Sequence, residues 1–449
     1  MLRVNGAAES RVLRGDKHAC WGWTSRERDM FKPLNLLLDQ IVSRGTLSVE
    51  TADGKTYRFG DGQQPRVAIK FTDRALERQI ALNPNLVVGE AYMDGRLVML
   101  EGRIYDLLEL VLENAMERPI PRWATLADGV RYLTRRISQF NPVSRSRRNV
   151  EHHYDIDGHI YDLFLDAERQ YSCAYYPDAD TDLDEAQRAK IRHIAAKLDL
   201  DEEHRLLDIG SGWGGLALNL AAMTGCEVQG ITLSSEQLSY AQRWTAKRGL
   251  DQRVKFSLTD YRQLEGRFDR IVSVGMFEHV GINHYNRFFQ RVRELLTDDG
   301  VALIHYIGRS DMPAATNGFV ARYIFPGGYI PALSEVMPAI ERSGLIVTDI
   351  EVLRLHYAKT LRHWRERFLA RWGEASALQG ERFCRMWEFY LAGSEAAFRY
   401  QNLVVFQIQL SRKVEALPLV RDYMHAGETA LVERERALHL AQSARLAGE

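Results

Sequence analysis

The residues best suited to chemistry stand in a glycine-rich stretch at residues 206–215. It reads Leu-Leu-Asp-Ile-Gly-Ser-Gly-Trp-Gly-Gly, and Gly210, Gly212 and Gly215 keep a G-x-G-x-x-G spacing. A buried strand, a glycine turn and a helix start let the backbone approach a ligand closely and point N–H groups at it. The stretch predicts a nucleotide-type ligand. Because many folds share this spacing, the class of the protein stays open at this point.

The elements that must position this turn alternate between strand and helix patterns. Four further strands are predicted, each followed by a helical stretch, at residues 226–232, 253–258, 270–274 and 301–305. Such alternation predicts an α/β fold with a doubly wound parallel sheet. A dinucleotide dehydrogenase usually places an acidic residue at the end of the second strand, where this chain has Thr232. Asp260 ends the third strand, and Phe268-Asp269 precedes the fourth. With these residues the segment resembles a class I S-adenosylmethionine (SAM) methyltransferase. A nicotinamide-dependent enzyme is the alternative.

The composition of the chain limits the choice of class. Its 449 residues suffice for two or three domains, and a formal net charge of -1 does not favour nucleic acid as a partner. The four cysteines are far apart and form no C-x-x-C pair, which fits a reducing compartment. The polar start at residues 1–17 and the lack of an apolar run near ~18 residues predict a cytoplasmic protein that is at most peripheral to a membrane.

Four regions are predicted along the chain. Residues 1–116 form a small α+β domain, because runs at 46–50 and 56–59 predict a hairpin and residues 76–112 are largely helical, with breaks at Gly89 and Gly95. Residues 117–149 form a linker, and residues 150–412 carry the catalytic motifs. Residues 413–449 read as a polar, helical tail without identifiable chemistry.

The linker at residues 117–149 is rich in arginine and amphipathic. Six apolar side chains recur at spacings of three and four, which places them on one helix face: Trp123, Leu126, Val130, Leu133, Ile137 and Phe140. A basic amphipathic helix can lie on anionic lipid. We favour the alternative, a linker helix that docks its apolar face on the catalytic domain, because most apolar helix stripes are core.

Further phrases narrow the family. They occur at residues 153–155 (His-Tyr-Asp), 170–175 (Gln-Tyr-Ser-Cys-Ala-Tyr), 268–281, 305–308 (His-Tyr-Ile-Gly), 323–328 and 389–393. In this order, over residues 150–412, they resemble the cyclopropane-fatty-acyl-phospholipid synthase family, which includes the mycolic acid cyclopropane synthases. Phospholipid-directed members also carry a small N-terminal domain, which gives residues 1–116 a lipid-binding role by resemblance.

The resemblance implies a reaction and a catalytic set. SAM methylates a cis double bond of a phospholipid acyl chain, and the carbocation loses a proton and closes to a cyclopropane. In the family a bound bicarbonate takes that proton, at a site that maps to Cys173, Glu278, His305, Ile307 and Tyr390. His305 and Tyr390 can hold the anion, and Glu278 can share a proton with it, since two bare negative charges would repel. Aromatic faces near the cation are offered by Tyr171, Tyr175, Tyr306, Phe319 and Tyr390.

The SAM site is expected to combine the glycine turn with three strand ends. The turn faces the amino-acid end of SAM, residues 232–234 the ribose, and Asp260 the adenine amino group. The residues predicted to contact SAM are Tyr154, Tyr171, Ser172, Asp208, Gly210, Gly212, Thr232, Leu233, Ser234, Gln237, Asp260 and Tyr261. No metal site is predicted, because His152 and His153 lack further ligands nearby.

The sequence departs from the usual family motifs at two places, and other functions remain open. Ser211 stands where the family turn commonly has cysteine, and Asp157-Gly158 replaces a usual Gly-Asn. The alternatives are methyl transfer that gives a branched acyl chain, a small-molecule N-methyltransferase, and a non-catalytic lipid-binding protein. The expected partners are unsaturated phospholipid, a membrane surface on the inner face, and a second copy in a homodimer.

Overall fold

The computed structural model describes residues 29–118, 121, 125–139 and 158–447. The predictions that concern residues 1–28, 119–120, 122–124, 140–157 and 448–449 lie outside the described residues, including the SAM contact of Tyr154 and the helix-face positions Trp123 and Phe140. Within the described part no helix has the length and apolar character needed to cross a membrane.

Residues 29–118 form a unit that we call the N-terminal unit. Its four-stranded sheet has the order β2-β1-β3-β4, with β1 and β2 paired antiparallel as the hairpin pattern predicts. Alternate residues of β1 and β3 are buried, so one side of the sheet packs against the helices. The elements are α1 Lys32–Ile41, β1 Thr46–Glu50, β2 Thr56–Gly60, β3 Arg66–Phe71, α2 Ala75–Leu82, α3 Pro84–Met93, β4 Leu97–Glu101 and α4 Ile104–Glu117.

The prediction that Gly89 breaks a helix is wrong. Gly89 lies inside α3, and the helices part at Asn83. A Cβ on Gly89 would stand 2.4 Å from the Phe319 ring and 2.7 Å from the Phe389 ring, so this glycine serves close packing. The sequence analysis also missed β3 and β4, since neither run has a short turn signal to its partner strand.

The rest of the described chain, which we call the large unit, is built on a seven-stranded sheet. Its order is β10-β11-β9-β8-β5-β6-β7, in which β5 to β9 run parallel and β11 runs antiparallel to both its neighbours. The strands are β5 Arg205–Ile209, β6 Glu227–Thr232, β7 Val254–Leu258, β8 Phe268–Val274, β9 Leu296–Arg309, β10 Ile346–Leu353 and β11 Leu403–Ser411.

Helices cover both faces of this sheet, which is why its central strands are buried on both sides. The five parallel strands were predicted, whereas β10 and β11, which complete the sheet, were not. The helices are α5 Leu126–Ser138, α6 Gly158–Asp162, α7 Leu183–Lys197, α8 Gly215–Thr224, α9 Ser235–Arg248, α10 Tyr285–Leu295, α11 Leu333–Ser343, α12 His356–Ala370, α13 Trp372–Gln379, α14 Glu381–Tyr400 and α15 Asp422–Ala447.

Helix α5 leaves exposed three of the six apolar residues that the sequence analysis expected to dock. Leu126, Val130 and Leu133 are 67%, 61% and 80% exposed. The helix instead contacts the rest of the large unit through polar side chains. Arg131 packs on Gly318, and the buried Gln139 amide donates to the backbone carbonyl of Gly328. The docked interpretation is therefore wrong for these three residues, because other groups make the contact.

Helix α14 joins the two units. Its Ala392 is fully buried within the apolar core of the N-terminal unit, and Phe389 packs against that core. The Tyr92 hydroxyl of α3 donates to Glu388 over 2.6 Å, and the Tyr400 hydroxyl donates to Glu109 of α4 over 2.9 Å. The N-terminal unit thus holds the helix that carries Tyr390.

Candidate active site

The glycine turn follows β5 and lies at the carboxyl edge of the parallel sheet. Gly210 has φ +85°, and its N–H donates to the carbonyl of Ile231 over 3.0 Å. A Cβ on Gly210 would stand 2.8 Å from Met276 Cβ, so a side chain at this position would collide. Because helices leave the sheet in opposite directions from β5 and β8, a crevice opens at this edge, the usual ligand site of such sheets.

A cavity, the first cavity, occupies this crevice. Ten of the residues predicted to contact SAM line it: Tyr171, Ser172, Asp208, Gly210, Gly212, Thr232, Leu233, Gln237, Asp260 and Tyr261. Sequence reasoning missed other wall residues, such as Arg169, Trp213, Met276 and His279. Arg169 stacks over the Trp213 ring at 4.9 Å, so these two form a flat wall beside the glycine turn.

Ser234 is not among the residues that line the first cavity, and its contact with SAM stays a prediction. Its hydroxyl accepts a hydrogen bond from the backbone N–H of Gln237 over 3.3 Å and caps the start of α9. The Thr232 hydroxyl donates to the Gln237 side chain over 2.9 Å, and both residues stay on the cavity wall. The cap therefore fixes the loop that carries the cavity residues.

Asp260 is buried and ion-paired. Arg262 binds its carboxylate through two nitrogens, at 2.9 and 2.6 Å, and both residues line the first cavity. A carboxylate has about four acceptor positions, so Asp260 keeps capacity to accept from a ligand amino group. The ion pair with Arg262 fixes the direction of the carboxylate.

A buried lysine that the sequence analysis missed lies beneath the turn. The Lys190 ammonium donates to the side chains of Gln170 and Ser172, each over 2.8 Å. Burial lowers the pKa of Lys190 to about 8 and raises the pKa of Asp208 to about 7. Asp208 Oδ2 has no hydrogen-bond partner within the described residues, although Lys190 favours its charge. A buried carboxylate oxygen without a partner can accept a hydrogen bond from a cationic amino group.

A larger cavity, the second cavity, lies beside the first. All five residues of the predicted catalytic set line it: Cys173, Glu278, His305, Ile307 and Tyr390. Four residues line both cavities, namely Tyr171, Ser172, Gly275 and His279. A ligand in one cavity would therefore lie next to a ligand in the other.

Glu278 is the acidic group at this junction. One carboxylate oxygen accepts from the backbone N–H of Ile307 over 2.6 Å, and the other is buried without a partner within the described residues. Burial raises the pKa of Glu278 to about 7, and the bond from Ile307 opposes that rise. At neutral pH the carboxyl group is therefore divided between its acid and its carboxylate forms, so it can donate or accept.

His305 stands on β9 opposite Gln407 of β11. The Gln407 amide nitrogen lies 3.2 Å from His305 Nδ1, which makes Nδ1 the acceptor and leaves a proton on Nε2. Burial lowers the pKa of His305 well below its usual range, so the ring is neutral. The antiparallel strand that sequence reasoning missed thus supplies the residue that orients His305.

Tyr390 and Cys173 complete the set. The Tyr390 and Tyr171 hydroxyls lie 2.9 Å apart, which joins α14 to the segment shared by both cavities. Burial raises the pKa of the Cys173 thiol, and its sulfur donates to the carbonyl of Ala174. A neutral, buried thiol is a lining group and not a nucleophile.

Two of the five candidate aromatic faces lie elsewhere. Tyr306 is fully buried between Phe277 and Phe406, and Tyr175 stacks on His193 with ring centroids 4.1 Å apart. Neither lines the second cavity; on β9 the Tyr306 side chain faces the side opposite to its neighbours His305 and Ile307, because side chains alternate along a strand. The other three, Tyr171, Phe319 and Tyr390, line it.

Comparison with known proteins places the chain among enzymes. A family model described as Mycolic acid cyclopropane synthetase matches residues 142–408, more than half of the chain, and one described as a domain of unknown function matches residues 34–118. A solved structure of the mycolic acid cyclopropane synthase CmaA1 complexed with SAH and CTAB shares 34% identity and a TM-score of 0.56, over 61% of this chain and 99% of that chain.

Two relatives match both units. A cyclopropane-fatty-acyl-phospholipid synthase of Escherichia coli (strain K12) is 38% identical over 379 residues, 82% of this chain and 96% of that protein. A probable fatty acid methyltransferase of Pseudomonas putida is 38% identical over 361 residues, 78% of this chain and 88% of that protein. Fold, crevice and relatives define the class, a SAM-dependent methyltransferase, which confirms the predicted fold and excludes the nicotinamide alternative. Within that class, the chain belongs to the mycolic acid cyclopropane synthetase family.

Proposed function

We propose that this enzyme transfers the methylene equivalent of SAM to cis double bonds of phospholipid acyl chains and forms cyclopropane fatty acids. The observation that carries the proposal is the junction of the two cavities. There Glu278, His305 and Tyr390 border an apolar cavity directly beside the crevice of the glycine turn. An alkene has no acidic proton, so the step needs a dry pocket, a base and tolerance of positive charge rather than a nucleophile.

The first cavity fits SAM. The unpartnered, buried oxygen of Asp208 suits the cationic amino group of SAM, and glycine at position 210 leaves the turn without a side chain that would collide with Met276. Thr232 and Gln237 lie at the second strand end, and Asp260 lies at the third. SAM would supply the methyl group as an electrophile at the junction of the cavities.

The donor set at the junction fits bicarbonate. Glu278 offers an unpartnered carboxyl oxygen in a group whose pKa burial raises to about 7, His305 offers Nε2–H, and Tyr390 offers a hydroxyl. With Glu278 in its protonated form, the three groups are neutral donors and hold one negative charge without repulsion. Bound there, bicarbonate would supply the base, while Tyr390, in edge contact with Phe325 at 6.0 Å, presents an aromatic face to the cation.

The protein's own contribution is exclusion of water and placement of charge. The second cavity is lined mainly by apolar side chains, which keeps water from competing for the cation. Its Glu278, His305 and Tyr390 are each at least nine-tenths buried, so their dipoles act in a low-dielectric site.

We infer that the enzyme reaches its lipid as a peripheral protein on the inner face of the membrane. Leu126, Val130 and Leu133 recur at a helical spacing and expose one apolar face of α5, whose sequence is rich in arginine. Apolar insertion together with attraction to anionic lipid is the usual mode of such helices. We also propose a homodimer, which equilibrium sedimentation would test.

The proposed function is tested with the purified enzyme, SAM and vesicles of mixed unsaturated phospholipids. Mass spectrometry of the released fatty acids should show a gain of one CH₂, only in chains with a double bond and only with SAM present. Unchanged fatty acids in all mixtures, with SAM binding intact, would contradict the proposal.

The second candidate is transfer of a methyl group to give a branched acyl chain. The similarity to the P. putida protein described as a probable fatty acid methyltransferase favours it. Both products pass through the same cation: loss of a proton from the transferred methyl group closes the ring, whereas loss of a proton from the chain leaves a methyl-branched alkene.

A further inference from the structure

The second cavity does not end at the junction but continues into the core of the N-terminal unit. Side chains from its helices and from three of its strands form the wall there. Each of these residues is at most 5% exposed to solvent: Leu34, Leu37, Leu47, Ile69, Leu97 and Leu107. The wall is therefore the interior of a folded unit and not a surface groove.

An open core of this kind points to a ligand. Protein interiors are normally packed like organic crystals, with few voids larger than a water molecule. Here the cavity measures about 650 Å³, within the range of about 300–1,000 Å³ for ligand sites. A cavity with apolar walls stays free of water and accepts apolar guests.

The other end of the cavity is polar. Arg309 and Asp311 form an ion pair of 2.8 Å there, and Asn317 and Asn402 lie on the same wall. Arg131 of α5 packs on Gly318, the neighbour of Asn317 in the chain, so α5 lies beside this end of the cavity. A lipid with its headgroup at the polar end would extend an acyl chain past the junction toward the N-terminal unit.

We propose that the core of the N-terminal unit binds the methyl-terminal part of the acyl chain under modification and thereby sets the accepted chain length. This inference rests on the proposed function. It assigns a ligand, the apolar end of an acyl chain, to residues 34–118, for which the matching family model states no function.

The passage between the two parts is open at one glycine of α14. Gly393 lines the cavity three residues after Tyr390, and a Cβ on it would meet only Leu108 Cδ1, at 3.8 Å. A larger side chain can be added here without a backbone clash, and a helix interior favours leucine over glycine. Replacing Gly393 therefore narrows the passage and leaves the fold intact.

The binding test uses the unmodified enzyme and no turnover. A phospholipid with a cis-monounsaturated chain and a diazirine at its terminal carbon is irradiated with the full-length protein. Peptide mapping should place most adducts within residues 34–112. Adducts confined to residues 158–412 would overturn the inference, and their pattern does not depend on whether a cyclopropane forms.

The functional test compares two lipids whose double bonds lie at the same distance from the carboxyl group, one with a long and one with a short tail beyond. Gly393→Leu should lower turnover of the long-tail lipid relative to the short-tail lipid by at least about tenfold. The matched control is Gly373→Leu, in helix α13, where a Cβ meets nothing within 4 Å. Equal effects on both lipids would contradict the inference.

A second variant addresses the N-terminal unit itself. Val111→Phe, on the cavity wall in α4, should shift preference toward the short tail, whereas Val98→Phe, on exposed β4 surface, should not. If wild-type enzyme makes no cyclopropane from either lipid, the proposed function fails, while the diazirine map still decides the present inference.

Discussion

Glu278→Gln should affect turnover and folding stability in opposite directions. The amide keeps the size of the side chain and an oxygen that can accept from the backbone N–H of Ile307, now at 2.6 Å. It loses the ability to share a proton at the position of the unpartnered carboxyl oxygen. We therefore expect lower turnover, unchanged SAM affinity and a more stable protein.

The magnitude of the two effects can be worked out. One hydrogen bond to a charged group is worth about 1.5–3 kcal/mol, so turnover should fall about 10- to 150-fold. The folded-state pKa of Glu278 is raised from 4.5 to about 7, so its contribution to stability is full below about pH 4.5 and is lost as pH rises through about 7. Above that pH the wild type carries a penalty of about 3 kcal/mol that glutamine does not.

The assay combines three measurements on the wild type, on Glu278→Gln and on the control Glu265→Gln, an exposed carboxylate. These are turnover on vesicles, SAM affinity by calorimetry, and denaturant unfolding at pH 5 and pH 8. The stability gain of Glu278→Gln should be large at pH 8 and small at pH 5. Near-normal turnover would remove Glu278 from the catalytic set, and a pH-independent stability difference would refute the assigned pKa.

Two further predictions follow from the site and from α5. Tyr390→Phe removes a hydroxyl from the anion site. The bicarbonate concentration for half-maximal turnover, measured in degassed buffer, should therefore rise about tenfold or more. Turnover that does not depend on bicarbonate in either the wild type or the variant would point to a side-chain base. Replacing Leu126, Val130 and Leu133 together by serine should weaken binding to anionic vesicles at least about tenfold, since a buried apolar side chain contributes about 1.5–3 kcal/mol. Serine at the exposed Leu419 and Val420 is the matched control for co-sedimentation, and equal binding of all variants would exclude α5 as the membrane contact.

The sequence predicted what depends on local pattern. The strand, glycine turn and helix around Gly210 are read within ten residues, because the turn needs positive φ and close approach wherever the fold places it. The parallel strands were likewise indicated by their apolar runs. The family phrases then pointed to Glu278, His305 and Tyr390, which the structure brings to one junction.

What the sequence could not predict depends on distant partners. Gln407 orients His305 only because β11 pairs with β9 across about a hundred residues. Nothing in the sequence sets Lys190 apart from Arg188 and Arg192 on the same helix, because its bonds to the cavity segment are tertiary. The periodicity of α5 predicted an apolar helix face, but periodicity alone does not indicate whether protein or solvent covers that face.

The central claim, ring formation on an acyl double bond, is tested most directly with SAM that carries a trideuterated methyl group. Closure to a cyclopropane releases one deuteron from the transferred methyl, so the fatty acid should contain two deuterium atoms, located by NMR at a ring methylene. A product that keeps all three deuterium atoms in a methyl branch, or that carries deuterium at an alkene carbon, would contradict cyclopropane formation and leave methyl transfer to lipid as the reaction.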